Sequence, residues 1–105
     1  MVYEIIWAPA AKRSFFNILN YLEVNWTQRE VDTFIQRSEE IIDLIRAKPS
    51  LFQYSRSSDT HRCVLSPQTS LFYRVNSAND HIELLVFWDN RQDPDKLTLL
   101  TEVKK

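Results

Sequence analysis

The chain has 105 residues, 44% hydrophobic and 26% charged, with a formal net charge of −1. That length supports one domain, spanning 1–105, with a hydrophobic core that needs no metal or disulfide staples, and the composition is that of a globular chain, not a disordered one. A lone cysteine, Cys63, excludes an internal disulfide or a thiol-based zinc cluster, the near-neutral charge argues against a general nucleic-acid binder, and the absence of glycine argues against a phosphate-cradling cofactor loop.

Val2 to Trp7, VYEIIW, is a short apolar run with Glu4 as its one charge, and it predicts a first strand. Pro9 stands where a first helical turn tolerates proline, because the missing amide would have been unpaired there anyway. Ala8, Ala11, Phe15, Ile18, Leu19 and Leu22 then recur at spacings of three and four, with Lys12, Arg13, Asn17, Asn20 and Glu23 mostly on the other side of the wheel. Val24, Asn25 and Trp26 interrupt that period. Thr27 and Glu30 form a T-x-x-E capping box that opens a second helix, carried by Val31, Phe34, Ile35, Ser38, Ile41, Ile42 and Ile45 as far as Lys48 before Pro49. So short a connection predicts an antiparallel helical hairpin.

The polar stretch SLFQYSRSSDTHR after Pro49 reads as a semi-ordered loop anchored by Leu51, Phe52 and Tyr54. Arg62 to Leu65 predicts a brief strand, and Ser66-Pro67-Gln68-Thr69 a tight turn into Ser70 to Val75. Leu71, Tyr73 and Val75 alternate with Phe72 and Arg74. A polar connection, NSAND, leads to a last strand in which Ile82, Leu84, Val86 and Trp88 oppose Glu83, Leu85 and Phe87. Both faces of that strand are mostly apolar, which predicts a central place in the sheet. Its polar end, Asp89, Asn90, Arg91, Gln92 and Asp93, is the expected working rim. The tail is expected to add a helical turn around Leu97, Leu99 and Leu100. The element order is β-α-α-β-β-β, an α+β fold with a mainly antiparallel sheet and a helical hairpin on one face. No apolar run approaches the roughly 18 to 20 residues of a membrane span and no charged-then-apolar leader follows Met1, so a cytoplasmic protein is expected.

Charge is uneven along the chain. Residues 1–52 hold six Lys/Arg and seven Asp/Glu, residues 53–75 three and one, and residues 76–105 four and six, giving −1, +2 and −2. The one basic segment carries Arg56 and Arg62, and no acidic residue is nearer to Arg62 in sequence than Asp59. Arg74 has a cross-strand candidate in Glu83, and Arg91 sits among Asp89, Asp93 and Asp95, so both suit ion pairs as well as an oxyanion. His61, at a strand start, and His81, beside a turn, read as exposed surface histidines; with Asp89 they show no metal-ligand spacing. Tyr3, Trp7, Phe72 and Phe87 suit core packing, whereas Trp88, at a strand end, is expected to be partly exposed and able to stack.

Several pieces in this order resemble the RelE/ParE superfamily of type II toxin–antitoxin toxins: VYEIIWAPAAKRSFFNILNYL, the arginine of HRCVL, the run LFYRV, and IELLVFW followed by DNRQDP. The resemblance covers nearly the whole chain. It implies a growth-inhibiting toxin, of the kind associated with plasmid stabilisation, that a cognate antitoxin neutralises. It implies one of two targets: messenger RNA cut on the ribosome by RelE-like members, or DNA gyrase poisoned by ParE-like members. No cofactor, metal, membrane or sequence-specific nucleic-acid contact is implied. The family's working surface maps onto Arg62, Tyr73, Arg74 and the segment from Trp88 to Arg91. If the chain is a nuclease, Arg62, Tyr73, Arg74 and Arg91 are the expected catalytic set, with Tyr73 or His61 moving the proton. Lys12, Arg13, Arg56, His61, Trp88 and Asp89 are the expected contacts to target or antitoxin. Many superfamily members end the last strand in histidine where this chain has Trp88, which favours the ParE-like branch; a non-toxic module that binds an antitoxin is the reading from another class.

Overall fold

The computed structural model describes residues 3–90. Strand β1 (Glu4–Trp7) leads into helix α1 (Pro9–Asn25), and Trp26 and Thr27 alone separate it from α2 (Gln28–Ala47). Pro9 stands at the first helical position, as the sequence predicts. The capping box is formed at α2: Thr27 and Glu30 bond reciprocally, which meets amide donors that a helix start leaves open. Four strands follow, β2 (Gln53–Ser55), β3 (Thr60–Ser66), β4 (Thr69–Asn76) and β5 (His81–Asp89), with a 3-10 turn, Ser77–Asn79, between the last two.

The five strands form one mixed sheet in the order β1-β5-β4-β3-β2. β1 runs parallel to β5 and the other pairings are antiparallel; β5 is an interior strand, paired on both edges, with β4 in the middle of the sheet. β2 corrects the loop expected after Pro49. It pairs Gln53 with Arg62, Tyr54 with His61 and Ser55 with Thr60, and becomes a strand because β3 offers an open ladder, not because of any apolar alternation of its own.

The helices cover one face. Ala11 and Ile45 pack there against Cys63, Leu65, Leu71, Tyr73, Ile82, Leu84 and Phe87, all at most 3% exposed. Fully burying a large apolar side chain stabilises a fold by roughly 1.5–3 kcal/mol, so this layer is the main favourable term. Trp7, Phe15, Phe34 and Phe87 form its aromatic end, with Phe15 and Phe87 centroids 5.2 Å apart.

A β-bulge changes which residues of β5 see the helices. Phe72 pairs with Val86 but Tyr73 pairs with Leu84, so Leu85 is an extra residue and the alternation changes phase across it. Ile82 and Leu84 face the helices before the bulge and Phe87 after it, while Leu85, Val86, Phe72 and Trp88 cluster on the opposite face. The uniform alternation expected for β5 is thereby corrected: Val86 and Trp88 do not share a face with Ile82 and Leu84. Val2, Arg91 and the tail turn around Leu97, Leu99 and Leu100 lie outside the described residues. Among the described residues, no helix is long and apolar enough to cross a membrane.

Candidate functional site

Arg62, in the middle of β3, points to the face away from the helices, where its cross-strand partner is Phe72. Its guanidinium carbon lies 6.0 Å from the Phe72 ring centroid. Nε donates to Ser70 Oγ at 3.0 Å and Nη2 donates to Asn90 Oδ1 at 3.1 Å. Both acceptors are neutral, and among the described residues Arg62 makes no ion pair. Held by neutral acceptors, the guanidinium lies on an exposed face with no carboxylate paired to it among the described residues.

Trp88 belongs to the same neighbourhood, because it pairs with Ser70 across β4 and β5 and packs with Leu85, Val86 and Phe72. The bulge at Leu85 puts it there; unbroken alternation from Ile82 would have aimed it at the helices. It is half-buried, and its indole N–H has no hydrogen-bond partner among the described residues.

The other expected site residues are distributed differently. Tyr73 is fully buried on the helix side, its hydroxyl donating to the Pro49 carbonyl at 2.7 Å. Burial pushes its phenol well above the ordinary value, and its hydroxyl is committed to a backbone carbonyl inside the fold. His61 corrects the expectation of an exposed histidine: it is 9% exposed, stacked on Tyr73 with centroids 4.9 Å apart and planes 10° apart, with Tyr54 also 4.9 Å away. Its Nδ1 lies 3.1 Å from the Phe52 carbonyl, a contact that selects the tautomer with the proton on Nδ1. Together Tyr73 and His61 clamp the segment after α2 onto the sheet. Both side chains are buried and spend their polar atoms on backbone carbonyls.

Arg74 stands opposite Glu83 in the ladder, as expected, but its side chain turns the other way. Nε and Nη2 donate to the carbonyls of Asp59 and Ser58, each at 3.0 Å, and Nε lies 3.8 Å from Asp59 Oδ2. It braces the turn between β2 and β3. Arg56 is exposed in that turn, Lys12 and Arg13 are exposed on α1, and His81 pairs with Glu4 at 3.3 Å. Asp89 pairs with Thr69 at the end of β5. Arg91 lies outside the described residues.

A groove of about 820 Å³ opens between the helical hairpin and the end of the sheet where β5 finishes. Ile18, Leu22, Phe34 and Phe87 are among its apolar lining, and Trp26, Arg37, Trp88 and Asp89 also border it. Two polar ties shape its walls. Ser14 Oγ accepts the Phe87 amide at 2.9 Å while donating to the Ala10 carbonyl at 2.7 Å, and Arg37 Nε donates to the Leu65 carbonyl. Neither residue stands out in the sequence as a candidate site residue. Ser14 left a signal, as a hydroxyl among the inward positions Ala11, Phe15 and Ile18; Arg37 left none.

The chain matches no protein-family model, and no curated protein matches its sequence. Solved structures do match its shape. A structure of the chromosomal ParDE TA system from P. aeruginosa superposes with a TM-score of 0.69 at 15% identity, covering 84% of this chain and 96% of that one. The YoeB/ParE toxin from Agrobacterium tumefaciens gives 0.61 at 10% identity, covering 83% and 98%. A RelBE toxin–antitoxin complex from Mycobacterium tuberculosis gives 0.59 at 12% identity, covering 86% and 100%. With its helical hairpin on one side of a five-stranded sheet, the chain has the RelE/ParE-type toxin fold.

Proposed function

We propose that the protein is the toxin of a type II toxin–antitoxin pair, that it acts in the ParE manner on an essential protein target such as DNA gyrase, and that a cognate antitoxin holds it inactive. One observation carries the choice of a protein target. The cation on the working face, Arg62, is separated from the two candidates for proton transfer, Tyr73 and His61, which are buried on the helix side. Metal-free RNA cleavage requires a base, an acid and cations converging on one phosphate. Binding a protein surface requires only the cation and its apolar neighbours.

The antitoxin reading rests on the groove and the sheet edge. An apolar floor between two helices and a sheet end suits the apolar side of a helix, and the exposed edge strand β2 suits an extended segment. Lys12 and Arg13 add positive charge on α1 for an acidic antitoxin segment. The ParDE and RelBE neighbours, named as toxin–antitoxin assemblies, support the same reading.

A RelE-like ribosome-dependent endoribonuclease is the second reading, favoured by Arg62, Phe72 and Trp88 sharing a face, where a phosphate and an unstacked base would meet a cation and rings. Inducing the chain in bacteria with and without an acidic partner separates these readings. Growth arrest with DNA breaks and a repair response supports the ParE-like reading, and transcripts cut at the ribosomal A site support the nuclease. Normal growth overturns both and leaves a non-toxic antitoxin-binding module.

A further inference from the structure

Asn90, at the end of β5, makes several polar contacts, and they divide into two sets. Its amide Nδ2 donates to the Pro67 carbonyl at 3.3 Å and to the Ser66 carbonyl at 3.5 Å, and its backbone N–H donates to the Gln68 carbonyl at 2.7 Å. These tie the end of β5 to the turn between β3 and β4. Its carbonyl Oδ1 faces the other way and accepts from Ser70 Oγ at 2.6 Å and from Arg62 Nη2 at 3.1 Å, while Ser70 Oγ itself accepts from Arg62 Nε. Donors on one side and acceptors on the other fix which way the amide points. The guanidinium is therefore held at two nitrogens by a rigid, uncharged bracket.

An aspartate of the same shape would orient Arg62 as well but would neutralise it. An alanine would leave its charge free but its direction loose. We propose that Asn90 is the positioning residue of the Arg62 site: it aims the guanidinium across Phe72 and, being neutral, leaves the positive charge available to an oxyanion carried by the target. This rests on Arg62 being the group that meets the target, and it adds a residue and a ligand class to that reading. A guanidinium already held on one side offers its remaining donors to an oxyanion at lower entropic cost than a freely rotating one.

The test uses inorganic sulfate as probe and the Arg62 Nε–Hε resonance of the whole protein as readout, with thermal unfolding to check each variant's fold. In the wild-type protein, sulfate shifts that resonance saturably. Asn90→Ala is expected to weaken sulfate binding about threefold, the scale of one lost orienting hydrogen bond, and Asn90→Asp at least about tenfold, because it adds an opposing charge. A residue that only ties down the turn would leave sulfate binding unchanged in folded Asn90→Ala, since its Nδ2 bonds to Pro67 and Ser66 do not touch Arg62. Unchanged binding in Asn90→Ala or equal weakening in both variants overturns the proposal, as does an Arg62 resonance that sulfate leaves unmoved in the wild-type protein. Ser70→Ala, which leaves the Asn90 anchors intact, covers the case in which an Asn90 variant does not fold. About threefold weaker binding supports the bracket, and unchanged binding overturns it. If Arg62→Ala abolishes toxicity while this contrast is absent, the role of Asn90 fails alone; a clear contrast with undiminished toxicity of Arg62→Ala sinks the target reading instead.

Discussion

Replacing Tyr73 with phenylalanine removes a single oxygen from the centre of the fold. The ring remains fully buried and keeps its stack on His61, at 4.9 Å and 10°, so no cavity opens. What is lost is the 2.7 Å bond to the Pro49 carbonyl. A net intramolecular hydrogen bond contributes about 1 kcal/mol, and a half-buried carbonyl left without its donor adds up to about 1 kcal/mol more. The expected loss is about 1–2 kcal/mol, or a fall in Tm of about 4–10 °C for a domain of this size. Urea unfolding of the purified variant measures the first figure through its midpoint at unchanged slope. Growth arrest on induction is expected to persist at full strength, because the hydroxyl serves the segment after α2 and not the face that carries Arg62. A variant as stable as the wild type would refute the structural assignment. A folded variant without toxicity would show that Tyr73 does chemistry, and would move the protein to the nuclease branch.

Thr27→Ala removes the hydroxyl of the capping box and is expected to destabilise the protein by about 1 kcal/mol, read by chemical denaturation. The Thr27 hydroxyl and backbone bonds hold the Glu30 carboxyl below its ordinary value, so the stabilisation it provides is present above the unfolded-state pKa and lost as pH falls through the lower folded value. Glu30→Gln should flatten that acid limb in a stability-versus-pH series, and an unchanged limb would contradict the cap. Cys63 is 1% exposed and burial raises its thiol to about 11, so a disulfide reagent at pH 8 should leave the folded chain unreacted and modify one thiol in denaturant. Fast reaction in the native protein would place Cys63 at the surface.

The helices were legible because their signals are local: apolar spacing, Pro9 at the start of one and a capping box at the start of the other. The strand β2 was not, since Gln53, Tyr54 and Ser55 are all exposed and owe their form to pairing with β3. The bulge was hidden by the run Leu84-Leu85-Val86-Phe87, which is buried throughout and carries no polar residue to mark the change of phase. His61 reads as exposed at a strand start, yet it alternates in phase with Cys63 and Leu65, both of the core. Arg62 was legible from its place, with Arg56, in the one basic segment of the chain. Its bracket was not, because Ser70 and Asn90 lie 8 and 28 residues away in sequence, and no local pattern joins positions that only the closed sheet brings together.

On the proposed reading, the exposed Arg62 guanidinium, held by neutral groups on the helix-free face, is the point of attack on the target. Induction of Arg62→Ala beside the wild-type chain, without an antitoxin and with equal soluble protein verified in both cultures, tests it directly. Arrest is expected with the wild-type chain and unimpaired growth with the variant; equal arrest in both cultures would refute the role of Arg62.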